Sequence, residues 1–222
     1  MSKTDRNVKA ILFDLDNTLV EFIEAKITAC KAVVDYLDRE DHADLLDHFF
    51  RGCYSIEDPL NIKDYLIAEE IYEEDIFQEC SRIYHSVKLD NVRTYPGVTE
   101  VLESLKKQGV KLALVTDAER GEALKRLRKA GIEKHFDLIV TFDTTGKKKP
   151  DLAPYFHCLD KMGLKPEEVV MVGDSLDRDI MPGKKLGMLT VHAKYGDRNH
   201  QSDEVAHRTI DDIWELMDVI SF

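Results

Sequence analysis

The stretch Ile11-Leu12-Phe13-Asp14-Leu15-Asp16-Asn17-Thr18-Leu19-Val20 decides how the chain is read. An apolar run over residues 8–13, broken only by Lys9, stops at two carboxylates spaced i and i+2, followed by Asn and Thr. A run of that kind is the pattern of a strand buried on both faces, as in a parallel sheet. Side chains alternate along a strand, so Asp14 and Asp16 share one side if extended backbone continues past Phe13. Ligands of open α/β sheets sit beyond the carboxyl ends of the strands, where this pair falls. Two acids so placed raise each other's pKa unless a cation lies between them. Taken alone, the stretch fits a solvated turn after a core strand as well, because Asp and Asn are ordinary turn residues. The rest of the chain separates the two readings.

Downstream, helical periodicity takes over from residue 21 to residue 92. Ile23, Ile27, Cys30, Val33, Val34 and Leu37 recur at three- and four-residue steps, which predicts a long amphipathic helix. Shorter helical patterns follow over residues 43–50, 62–71 and 75–87, with a break at Asp58-Pro59, since Pro disfavours helix at the residue before it. Tyr95-Pro96-Gly97 then punctuates the chain, and strand-like runs alternate with helical stripes. Strands are predicted over residues 110–115, 138–142, 169–172 and 189–193. The helices between them span about 98–105, 123–130, 155–162 and 178–186, and a last helix covers about 210–220. That alternation means right-handed βαβ units and a mostly parallel sheet. The reading is an α/β core of residues 1–20 and 93–222, with residues 21–92 as an all-helical insert.

Composition narrows the function classes. The chain has 222 residues, 43% of them hydrophobic, enough for a real core. No segment approaches the roughly 20 apolar residues that span a bilayer. The first residues are polar and lead straight into the first strand without an apolar leader, so a cytoplasmic protein is expected. A formal net charge of −12 argues against non-specific binding to nucleic acid or anionic membranes. Cys30, Cys53, Cys80 and Cys158 form no C-x-x-C pair and read as reduced thiols.

Polar residues of one kind recur at the predicted strand ends. Asp14 and Asp16 follow the first strand, Thr116 and Asp117 the second, and Gly173 and Asp174 the fourth, while Lys149 lies in the loop after the third. A parallel sheet gathers such ends at one edge, and the set suits phosphoryl transfer. A carboxylate can act as nucleophile, carboxylates hold a hard cation, and a lysine with a hydroxyl holds phosphoryl oxygens. A second acid can protonate the leaving oxygen and then activate water.

In this order, Asp14-Leu15-Asp16-Asn17-Thr18-Leu19, Thr116, Lys149-Pro150, and Gly173-Asp174-Ser175 with Asp179 resemble the four motifs of the haloacid dehalogenase-like hydrolase superfamily. The resemblance covers essentially the whole chain, and the insert is similar to the family's helical cap of the first type, as in the phosphoglycolate phosphatase-like branch. It implies a three-layer, Rossmann-like α/β fold with parallel strand order 5-4-1-2-3. It implies Asp14 as nucleophile and metal ligand, and Asp16 as general acid/base contacting the metal through its backbone carbonyl. Thr116 and Lys149 would hold the phosphoryl group, with Asp117 beside them contributing backbone contacts. Asp174 would complete a Mg²⁺ site, with Asp179 orienting it or ligating through water. The expected activity is hydrolysis of a small phosphorylated metabolite through an aspartyl-phosphate.

Some positions depart from the family pattern. Asp117 stands where many members have Asn, and Pro154 comes later than the usual second proline. Lys147 and Lys148 compete with Lys149, which is preferred because it precedes Pro150, and Asp177 competes with Asp179. Dehalogenases and phosphonatases lack an acid at the Asp16 position, so Asp16 favours a phosphatase. A phosphomutase is the alternative, and a non-catalytic phosphate-binding module is the reading from another class. The oligomeric state is not legible. The basic run 120–129 and the histidines His42 and His48 read as solvated helix faces, and Arg51-Gly52-Cys53-Tyr54 as an interhelical loop.

Overall fold

The buried run that opens the chain lies at the centre of a sheet. The computed structural model describes residues 7–40, 42–198 and 205–219. The chain divides into two compact units, one of Met1–Glu21 and Arg93–Phe222, the other of Phe22–Val92. In chain order, β1 (Ala10–Phe13) precedes α1 (Phe22–Tyr36), α2 (His42–Phe50), α3 (Leu60–Ala68) and α4 (Glu74–Asp90), which build the second unit. The first unit resumes with α5 (Val98–Lys107), β2 (Lys111–Val115), α6 (Arg120–Lys129), β3 (Leu138–Val140), α7 (Phe142–Thr145) and α8 (Ala153–Met162). It continues through β4 (Val169–Gly173), a π-helical turn at Leu176–Ile180, α9 (Met181–Leu186), β5 (Leu189–Ala193), β6 (Arg208–Ile210) and α10 (Leu216–Val219).

The sheet runs β3-β2-β1-β4-β5-β6, and every neighbouring pair is parallel. All four residues of β1 are buried, because a strand flanked by β2 and β4 and covered on both faces has no solvent side. On one face Leu12, Ala113, Val115 and Met171 pack against Tyr155 and Cys158 of α8. Each fully buried Leu, Val or Met side chain among them is worth about 1.5–3 kcal/mol relative to exposure. This is the Rossmann-like α/β architecture expected, with the first five strands in the expected order.

Three local expectations are corrected. A sixth strand extends the sheet past β5. Residues 210–220 are therefore not one helix: Ile210 closes β6, and Asp212 accepts from the Trp214 N–H at 2.7 Å to start a 3-10 turn that leads into α10. Ile220 lies outside the described residues. The third strand stops at Val140, because Thr141 caps α7 in a reciprocal arrangement with Thr144. The helix expected from residue 178 starts as the π-helical turn, with Ser175 Oγ accepting from the Arg178 N–H at 3.3 Å.

Within the helical unit, Ala29, Cys30, Val33 and Val34 of α1 form a buried stripe with Cys80 and Tyr84 of α4. Phe49 of α2 stacks on Tyr84 with ring centroids 4.8 Å apart. Asp58-Pro59 breaks the chain as expected, and Asp58 Oδ1 accepts from the Leu60 N–H at 2.9 Å. His48 is not solvated: it is buried, with Nδ1 2.8 Å from the Asp44 carbonyl. The side chain of His42 lies outside the described residues.

Candidate active site

The parallel ladder fixes where the strand-end side chains go. Asp14 follows β1, and its N–H donates to the Val172 carbonyl at 3.0 Å, so it continues the pairing with β4. Thr116 does the same after β2, donating to Val140 at 3.0 Å. Asn17 then turns the chain at φ 62°, a left-handed conformation that Asn tolerates better than most residues. Asp14, Thr116, Lys149, Asp174 and Asp179 are all buried. So many buried polar groups at one sheet edge need mutual satisfaction.

Lys149 supplies most of it. Its Nζ donates to Asp14 Oδ1 at 2.5 Å and to Asp179 Oδ1 at 2.6 Å. Burial alone would lower the lysine pKa, but the Asp14 and Asp179 carboxylates overcome it and hold the pKa well above the ordinary value. Asp179 Oδ2 also accepts from the Ser175 N–H at 3.2 Å. Gly173 makes that placement possible, since a Cβ there would meet Asp179 Cγ at 2.4 Å. Of the two competing acids, Asp179 is the buried one and Asp177 is exposed.

Three carboxylates crowd this edge. One oxygen from each of Asp14, Asp174 and Asp179 lies within 4.8 Å of the others. Burial, and then the charges of Asp14 and Asp179, push the Asp174 carboxyl well above its usual range. Asp174 Oδ1 is buried and accepts no hydrogen bond among the described residues; Arg178 Nη2 lies 4.0 Å away. Hard, buried, under-satisfied carboxylate oxygens are the donor set that Mg²⁺ prefers, so these residues fit the expected ion.

Asp117 and Asp16 make their printed contacts outside the three-carboxylate cluster. Asp117 Oδ1 accepts from the Lys149 N–H at 2.8 Å, so this side chain shapes the Lys149 loop, and an Asn carbonyl would serve equally. Asp16 Oδ2 lies 2.5 Å from Arg126 Nη1 on α6. Arg126 was not foreseen. The run 120–129 was expected to be solvated, yet this guanidinium is 2% exposed. The signal was present: Ala123, Arg126 and Leu127 share one helix face at i, i+3 and i+4, and all three are buried. Thr18 also went unassigned. Its Oγ1 lies 3.4 Å from Asp14 Oδ2 and accepts from the Asp174 N–H at 3.0 Å, which ties the first strand end to the fourth.

A parallel α/β sheet carries a buried acid cluster and a lysine at its carboxyl edge. Residues 11–193 match the haloacid dehalogenase-like hydrolase family, and the chain belongs to that family. It is similar to a glyceraldehyde 3-phosphate phosphatase of Methanocaldococcus jannaschii, 35% identical over 96% of this chain and 97% of that one. It is also similar to the pyrophosphatase PpaX of Bacillus velezensis, 35% identical over 84% of this chain and 83% of that one. Among solved structures, a predicted phosphoglycolate phosphatase from Haemophilus somnus superimposes with a TM-score of 0.76 at 26% identity, covering 97% of this chain and 99% of that one. The relatives are phosphatases by name, in keeping with the branch that the motifs suggested.

Proposed function

We propose that the protein is a Mg²⁺-dependent phosphatase that hydrolyses a small phosphomonoester through a phosphorylated Asp14. The observation that carries this reading is the Lys149 ammonium bonded to both Asp14 and Asp179 within one buried acid cluster. A lysine there holds the Asp14 carboxylate in place and offers donors to an incoming phosphoryl group. Asp14 attacks phosphorus, and the bond to the leaving oxygen breaks as Asp16 gives that oxygen a proton. Asp16 then takes a proton from water, whose oxygen attacks the aspartyl-phosphate and releases phosphate and a free Asp14 carboxylate. The buried Thr116 at the end of β2 holds phosphoryl oxygens with Lys149. Asp14, Asp174, Asp179 and the backbone of Asp16 would hold Mg²⁺, which would neutralise charge on the phosphoryl oxygens.

The substrates named for the relatives are small phosphorylated compounds, so a three-carbon or smaller phosphate ester ranks first for this chain. The test is phosphate release from glyceraldehyde 3-phosphate, phosphoglycolate and pyrophosphate, with Mg²⁺ and with excess EDTA. Turnover of one of the esters that stops with EDTA and returns with Mg²⁺ is the expected result. Full activity in excess EDTA contradicts the metal assignment.

A further inference from the structure

The basic helix α6 carries Arg120, Lys125, Arg128 and Lys129 exposed to solvent and buries one cation, Arg126. Burying a guanidinium is costly unless a carboxylate and good geometry compensate it. A carboxylate that compensates it is Asp16, 110 residues away in sequence, with Arg126 Nη1 at 2.5 Å from Oδ2. We propose that Arg126 is a positioning residue that orients the Asp16 carboxylate for proton transfer. This rests on Asp16 acting as the acid/base proposed above.

Asp16 needs such a partner more than its neighbours do. Its side chain is 24% exposed, whereas those of Asp14, Asp174 and Asp179 are 5%, 8% and 0% exposed. It also precedes the left-handed Asn17, where the chain leaves the strand direction. A carboxylate on such a loop samples several rotamers and turns toward water. A guanidinium fixed by a helix face removes that freedom, because its planar fork defines a direction as well as a charge. A proton-transfer group must be held to within a fraction of an ångström to act.

The test uses leaving groups that differ in their need for a proton. 4-Nitrophenyl phosphate releases a stabilised phenolate, while glycerol 3-phosphate releases an alkoxide that must be protonated. With Mg²⁺ present, Asp16→Asn should lower kcat/KM for the alkyl ester by about 10²–10⁴-fold and for the aryl ester far less. Arg126→Met should show the same skew at smaller amplitude, about 10-fold or more between the two esters, and Arg126→Lys should recover part of it. Adding Arg126→Met to Asp16→Asn should produce no further skew. An equal loss on both esters, as a purely structural role would give, overturns the proposal, as does a further skew in the double variant. If Arg126→Met does not fold, Arg126→Lys carries the same test, with a smaller skew expected and an equal loss overturning the proposal. A wild type inactive on both esters and on the compounds named above would fell the phosphatase reading and this proposal together. A wild type active on both esters, with the skew present in Asp16→Asn and absent from the Arg126 variants, fells this proposal alone.

Discussion

Both units bury lysines, and they satisfy them by different means. In the α/β unit, Lys149 is 4% exposed and has two carboxylates on its ammonium. In the helical unit, Lys26 and Lys88 are 0% and 3% exposed. Lys26 Nζ lies 4.0 Å from the centre of the Phe49 ring and donates to the Ile56 carbonyl. Lys88 Nζ lies 5.1 Å from the Tyr84 ring, with Glu57 at 3.8 Å. The helical unit sets its cations against ring faces, a carbonyl and Glu57, whereas the α/β unit places two carboxylates on one ammonium. Concentrated charge of that kind is what phosphoryl chemistry uses, and it is also where removal of a single group does the most damage.

The largest effect is therefore expected at Lys149. Lys149→Met leaves Asp14 and Asp179 buried against each other and should destabilise the metal-free protein by about 3–5 kcal/mol. It should also lower kcat by about 10²–10³-fold. Thermal unfolding with and without Mg²⁺ checks the origin of the cost: bound Mg²⁺ should return part of the lost stability, because it replaces the missing charge. A loss that Mg²⁺ leaves untouched would break the comparison. Lys26→Met should cost less, about 1–3 kcal/mol, since what it forfeits includes a hydrogen bond and cation–π contacts but leaves no pair of carboxylates buried against each other. That loss should be the same with or without Mg²⁺. The smallest effect concerns the thiols. Burial pushes Cys30 up to about 12, Cys80 to about 11 and Cys158 to about 12, whereas Cys53 is exposed. A thiol reagent at neutral pH should label Cys53 in the native protein and leave the others until unfolding. Rapid labelling of Cys30 would show that the α1–α4 core opens readily.

Most of the sheet and its acid edge were legible because they rest on local signals. The all-apolar run of β1 announces a central strand, and polar residues at several strand ends converge once the strands are parallel. The missed features share a different cause. Arg126, Lys26 and His48 are polar residues on otherwise apolar helix stripes: beside Ala123 and Leu127, beside Ala29 and Cys30, and beside Leu45 and Phe49. Composition assigns such residues to solvent, while their three- and four-residue spacing assigns them to the interior. What decides between the two is the partner, which for Arg126 lies far away in sequence. The strand β6 escaped for another reason: three residues are too few to show a period.

The most direct test of the central claim is the single-turnover rate of Asp14→Asn beside the wild type, with Mg²⁺ and the preferred ester, followed by acid quench and mapping of bound phosphate. The account predicts phosphate on Asp14 of the wild type, none on the variant, and a rate loss of at least about 10³-fold. A variant that keeps a tenth of the wild-type rate would contradict it.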